Sequence, residues 1–207
     1  MKHLLLLPIA GLALAKSRTS PPPGCLSVDQ SAGEYRTIQS AIDALDVLSP
    51  TPQCIFINPG TYAEQVLVPA RRAPQLSIYG YTNDISGYAG NTATITGNKS
   101  QKLGISNDET ATLRVKSAGF RLYNVDVENT YGRGSQAVAV SAYADSGYYG
   151  CAFRGFQDTL LAQAGRQVYA RTLVQGATDF VFGQHAAAWF EGCDVRVVAS
   201  GIGYGGI

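Results

Sequence analysis

The sequence predicts an all-β domain, and three observations carry that prediction. Short runs rich in β-branched and aromatic residues recur along the chain, at Cys54–Ile57, Val66–Val68, Leu76–Tyr79, Thr94–Thr96, Thr112–Val115, Leu122–Val127, Ala137–Val140, Val168–Thr172 and Trp189–Phe190. Gly, Asn, Asp and Pro separate them, and 23 glycines suit that density of turns. No helical pattern of about 10–15 residues lies between the runs, which argues against βαβ units. A sandwich, a barrel and a β-solenoid all remain open on this ground. The spacing of polar residues speaks for the last. Gln136 and Gln157 are 21 residues apart, as are Asp158 and Asp179, and Cys151 to Cys193 is 42, twice that interval. A fixed period of about 20–50 residues is the mark of a repeat architecture. Side chains one period apart would then stack on neighbouring strands about 4.8 Å apart.

Taken in order, residues 1–15 read as a secretory signal. Lys2 and His3 form the charged start, Leu4 to Leu14 the apolar stretch and Ala13-Leu14-Ala15 the small-residue cleavage site. The apolar run is too short to span a bilayer and Pro8 interrupts it. Residues 16–30 form an extended lead-in, rich in Ser, Thr and Pro between Ser17 and Gly24. Residues 31–207 are the folded domain. Ile38, Ala41, Ile42 and Leu45 make a single helical stripe, with Thr37 as its N-cap.

Composition removes several function classes. The net charge is +1 and charged residues are 15% of the chain, with no Lys/Arg cluster to hold a nucleic acid. Arg71-Arg72 reads as a solvated loop. The four cysteines, Cys25, Cys54, Cys151 and Cys193, permit two disulfides in three possible pairings, and no Cys-x-x-Cys suggests zinc. Asn98-Lys99-Ser100 is the single glycosylation sequon. A Ser-His-Asp triad needs a histidine base, and only His185 survives removal of the signal. No Gly-x-Ser-x-Gly elbow occurs. A Cys-His site would need a free thiol, which a secreted four-cysteine chain is expected to lack.

Carboxylates remain. Gly155-Phe156-Gln157-Asp158-Thr159-Leu160 and Asp179-Phe180-Val181-Phe182-Gly183 each hold one acid in an apolar, glycine-rich frame. Such acids should be partly desolvated, and two of them on adjacent coils should drive their pKa values apart. One could then act as acid and the other as nucleophile or base. Carboxamides from Gln136 and Gln157 could donate to a developing oxyanion. The competing reading makes the acids turn caps and the glutamines ladders along a solenoid.

These motifs resemble the pectin methylesterases, or pectinesterases, over about residues 31–200. Tyr35-Arg-Thr-Ile-Gln-Ser-Ala-Ile-Asp is similar to the family's opening segment. Gly60-Thr61-Tyr62-Ala63-Glu64 matches Gly-x-Tyr-x-Glu, and Gln136-Ala137-Val138-Ala139 matches Gln-Ala-Val-Ala. The two acid-bearing segments match Gly-Tyr/Phe-Gln-Asp-Thr-Leu and, from Gly176, Gly-x-x-Asp-Phe-Ile/Val-Phe-Gly. The resemblance implies a right-handed parallel β-helix capped by the N-terminal helix. It implies Asp179 as nucleophile on a galacturonate methyl ester and Asp158 as general acid, then base. Gln157 would stabilise the anionic intermediate, while Gln136, Thr112 and Phe180 would contact substrate; Phe180 and Phe182 would shape the groove, with core packing the alternative role for at least one of them. It implies methylated pectin as partner, a secreted monomer, and no metal, organic cofactor, nucleic acid or membrane.

The family's Leu-Gly-Arg-Pro-Trp motif, whose arginine orients the nucleophile, is not present, and Arg166, Arg171 and Arg196 stand outside any such motif. The expectation is that C-terminal coils are missing and that the chain is weakly active or inactive. Other readings are a polygalacturonase-like hydrolase, a pectate-lyase-like enzyme and a noncatalytic pectin-binding solenoid. The first lacks its extra acid and catalytic His context, and the second its calcium-binding acidic cluster.

Overall fold

The structure is a computed structural model that describes residues 16–70 and 75–199. The secretory signal, Arg71-Arg72 and the glycine-rich stretch after residue 199 lie outside the described residues. β1 (Leu26–Val28) and helix α1 (Ile38–Asp43) come first. β2 (Gln53–Ile57), β3 (Gly60–Ala63), β4 (Val66–Val68), β5 (Leu76–Gly80) and β6 (Ala93–Gly97) follow. A 3-10 turn at Gln101–Leu103 and the short helix α2 (Asn107–Thr110) precede β7 (Leu113–Val115). Then come β8 (Phe120–Tyr123), β9 (Asp126–Asn129), β10 (Val140–Ala142), β11 (Ser146–Tyr149), β12 (Ala152–Arg154) and β13 (Leu160–Ala162). β14 (Ala164–Ala170), β15 (Leu173–Gly176), β16 (Val181–Phe182), β17 (His185–Glu191) and β18 (Asp194–Val197) complete the order.

Each turn of the chain places one strand in each of three sheets, and all strand pairs are parallel. The sheets run β1-β2-β5-β8-β11-β14-β17, β3-β6-β9-β12-β15-β18 and β4-β7-β10-β13-β16. This is a parallel β-helix. The register aligns inward residues into ladders: Leu26, Ile55, Ile78, Leu122, Tyr148, Tyr169 and Phe190 in the first sheet, and Tyr62, Ile95, Val127, Phe153, Val174 and Val195 in the second. Tyr148, Tyr169 and Phe190 stack nearly flat, with centroids 4.9 and 4.7 Å apart, close to the spacing of the strands that carry them. Among the described residues no strand pairs the outer edges of β16, β17 and β18. Phe190 and Val195, at inward positions, are accordingly 36% and 46% exposed.

The 21-residue period is real but local. Ala152, Leu173 and Asp194 pair in succession at that spacing, whereas Leu76 pairs Phe120 and Phe120 pairs Ser146, steps of 44 and 26. The longest turn carries α2. Several sequence boundaries move. The run Leu122–Val127 is broken at Asn124, which turns the chain from β8 into β9 with φ +54°. Of Ala137–Val140 only Val140 is in a strand. β1 lies inside the stretch read as lead-in.

Helix α1 caps the solenoid as expected. Ile38, Ala41 and Ile42 are buried against the first coil, and Thr37 Oγ1 accepts the Ser40 amide at 3.1 Å. The Glu64 carboxylate accepts the Ile38 and Gln39 amides at 2.8 and 2.9 Å. It thus satisfies two of the helix's otherwise unpaired N–H groups. This gives the acid of the Gly-x-Tyr-x-Glu motif a structural role. Glu64→Ala is expected to lower unfolding stability by about 1–3 kcal/mol, seen as a lower urea midpoint with an unchanged slope.

One of the two permitted disulfides forms, Cys25–Cys54. Cys151 and Cys193 are free, contrary to the expectation that no free thiol remains. They occupy the same position two coils apart, with Thr172 between them. Two strand spacings, about 9.6 Å, exceed what a disulfide can bridge. Burial pushes the Cys151 thiol up to about 12, so it is not a nucleophile. Thiol titration of the unfolded, unreduced protein should therefore give two thiols per chain.

Candidate active site

The turn from the second sheet into the third builds the site. The Asp158 amide donates to the Thr178 carbonyl at 3.1 Å, and Gln157 bridges Thr178 in parallel. Asp158 therefore stacks on Asp179 one coil further on, about 4.8 Å along the axis. Both have left-handed backbone, with φ +65° and +44°. Aspartate is among the few non-glycine residues that enter this region readily, because its short polar side chain bonds locally. One coil earlier, the Ala137 amide donates to the Gln157 carbonyl, which sets Gln136 beside Gln157. The Ala139 and Val140 amides then share the Thr159 carbonyl, a one-residue bulge that shortens the 21-residue step to the 20 between Val140 and Leu160. The sequence spacing thus stacks Gln136 on Gln157 and Asp158 on Asp179, in two adjacent ladders.

The motif glycines serve packing. A Cβ at Gly176 would stand 2.3 Å from that of Phe180, and one at Gly155 would stand 2.6 Å from Thr159 Oγ1. In each case the glycine lies four residues before the side chain that covers it. This explains why Phe180 is not a groove residue: it is fully buried in the core. Thr112 is also buried, and its hydroxyl donates to the Glu128 carbonyl at 2.9 Å. Neither side chain is open to solvent. Phe182 does face outward, two residues on, as strand alternation requires.

The two acids differ in environment. Asp158 is 5% exposed, and Asp179 is exposed. Burial, opposed by the Asn107 hydrogen bond and reinforced by the Asp179 charge, raises the Asp158 carboxyl to about 6. The expectation of desolvation thus holds for Asp158 and fails for Asp179. Asp179 makes no ion pair among the described residues. The arginines with ionic partners there sit elsewhere: Arg114 on Asp108, Arg154 on Asp126, Arg166 on Asp145, Arg196 on Asp194.

A family model described as Pectinesterase matches residues 26–201. The chain belongs to the pectinesterase family. It is 51% identical over 189 residues to a pectinesterase of Aspergillus aculeatus, covering 90% of this chain and 57% of that one. Against a pectinesterase of Aspergillus niger it is 49% identical over 191 residues, covering 91% and 57%. The crystal structure of the pectin methylesterase from Aspergillus niger in deglycosylated form superposes with a TM-score of 0.82 at 45% identity, over 87% of this chain and 59% of that one. Pectin methylesterase from carrot gives 0.76 at 28%, over 87% and 54%. The chain therefore spans 57% of the length of both curated relatives.

Beside the acids of this pectinesterase-family chain lies a cleft of about 420 Å³ on the outer face of the third sheet, lined by Asn107, Tyr143, Leu161, Gln163, Phe182 and Gln184 among others. Asn107 joins cleft to acid: its Nδ2 donates to Asp158 Oδ2 at 3.1 Å. Its neighbour Asp108 receives Arg114, Lys116 and Ser141 at 2.6–2.7 Å. Burial raises the Asp108 pKa, but those three bonds outweigh it and hold it below the usual carboxylate range. The Lys116 ammonium also lies 3.2 Å from the centre of the Tyr143 ring. Sequence reasoning missed this group. Its available signal was Ser106-x-x-Glu109, a capping box that starts α2. Among the described residues there is no metal-ligand cluster.

Burying Asp158 has a thermodynamic sign. Between the unfolded value of 3.8 and the folded value of about 6, the native state binds the extra proton, so stability falls as pH rises through this window. The cost reaches about 3 kcal/mol above pH 6. Asp158→Asn, which tolerates the same backbone, should therefore be more stable than the parent above pH 6, with the gap closing toward pH 4. Urea denaturation of both proteins across that range checks it.

Proposed function

We propose that this chain hydrolyses the methyl esters of galacturonate units in pectin, releasing methanol. The observation that carries this reading is the stacked pair itself: a buried acid with a raised pKa one coil from an exposed acid, with two carboxamides alongside. Family membership and relatives named pectinesterase support it. Asp179 attacks the ester carbonyl, and Gln157, assisted by Gln136, donates to the oxyanion that forms. Collapse of this intermediate breaks the bond to methoxide, which takes its proton from Asp158 and leaves as methanol. The acyl group is now on Asp179. Asp158, ionised, removes a proton from water, whose oxygen attacks the acyl carbon and frees Asp179. A carboxyl titrating near 6 suits both half-reactions. The cleft outside the third sheet receives the polysaccharide. The signal-like N-terminus supports secretion, and among the described residues no helix is long and apolar enough to cross a membrane. The enzyme acts as a monomer.

One observation favours a second reading. Asp179 has no described arginine to hold it, so a pectin-binding solenoid without turnover would show the same fold. Methanol release from highly methylated pectin separates the two. Turnover should fall by at least about 10³-fold in Asp179→Asn and about 10²–10⁴-fold in Asp158→Asn. Pectin binding by folded protein with no methanol, unchanged by either substitution, would establish the second reading.

A further inference from the structure

The Asn107 carboxamide has one satisfied end and one orphaned end. Its Nδ2 donates to Asp158 Oδ2 at 3.1 Å, while its Oδ1 is buried with no hydrogen-bond partner. A buried carbonyl oxygen left unpaired is costly, and a native structure that retains one needs a reason. The neighbour is a carboxyl that exists in two forms with opposite needs. The carboxylate only accepts, and the carboxylic acid also carries an O–H that must donate. An asparagine supplies both complements from nearly the same envelope, because half a turn about its last torsion exchanges Nδ2 and Oδ1.

The geometry points to Asn107 as a two-way positioning residue for Asp158: Nδ2 holds the carboxylate, and the flipped amide presents Oδ1 to hold the protonated acid. The backbone is fixed for this task. Asn107 is the first residue of α2, and Ser106 caps that helix through the Glu109 amide at 3.4 Å while Glu109 Oε2 returns to the Ser106 amide at 2.9 Å. The side chain can therefore turn while its anchor stays in place. The charged groups around the pair are few. Asp179 faces it from the next coil. Asp108 lies one residue along α2, covered by Arg114 and Lys116. Glu109 is engaged by Ser106. None supplies Asp158 with a hydrogen bond, so Asn107 alone among the described side chains can follow its proton. The inference rests on the reading of Asp158 as an acid that becomes a base. It adds the group that keeps the carboxyl aimed in both states.

The experiment is an NMR titration of the isotopically labelled chain between pH 4 and 8, following the Asp158 carboxyl carbon and the Asn107 side-chain amide. Both should titrate with one shared midpoint, and the amide proton that is hydrogen-bonded at high pH should lose that bond at low pH. Asn107→Leu, which removes donor and acceptor, should raise the Asp158 midpoint by about one pH unit, and Asn107→Asp, an acceptor with added charge, should raise it further. An amide unchanged across the Asp158 titration overturns the inference in the parent protein, with no variant required. Because the readout is not turnover, coupled titration in a chain that releases no methanol would uphold the inference while removing the esterase reading.

Discussion

Everything in this molecule depends on parallel strands returning in register, one spacing above the last. That constraint makes the core a set of ladders: the Leu26-to-Phe190 row lies over one sheet, and the aromatic members stack because their strands do. It also makes the corners repeat. Asn124, Gly150, Arg171 and Gly192 follow residues that pair with one another, and all four have positive φ between +50° and +59°. A left-handed residue ends the first strand in each of four successive coils, whatever its side chain. Register places residues far apart in sequence at contact distance, and the candidate site is one result.

At the second corner the same geometry acquires chemistry. Asp158 and Asp179 hold left-handed backbone on successive coils, but the solenoid gives them different neighbours. α2 projects from the longest coil and covers Asp158. Nothing described covers Asp179. Two residues with the same local sequence frame and backbone therefore differ in burial, and with it in the energy of carrying a charge. The chain tolerates the buried acid at a cost in stability near neutral pH, a pattern expected where function rather than folding selects the residue.

The parts of this arrangement that could be read in advance were those with local signatures. The stripe Ile38, Ala41, Ile42, Leu45 with Thr37 before it specified α1, and the equal intervals between Gln136 and Gln157 and between Asp158 and Asp179 disclosed the coil. The early coils hid that period, because the excursion carrying α2 breaks it. Thr112 and Phe180 were assigned outward roles from motif position alone. In the structure each is turned into the core, where Gly97 and Gly176 make room for them. A four-residue helix such as α2 has too few positions for any periodic pattern, so only the Ser106-x-x-Glu109 capping box marked it, and nothing local announced the contacts of Asn107 or Asp108.

By itself, then, the sequence determined the class of fold, the capping helix and the stacking of amide on amide and acid on acid, because a strict repeat converts linear spacing into contact. Only the tertiary structure decided which acid is buried, that Glu64 holds α1, and that Asn107 attends Asp158. Each of these depends on segments whose separation along the chain is unrelated to the repeat, and no interval in the sequence encodes their meeting.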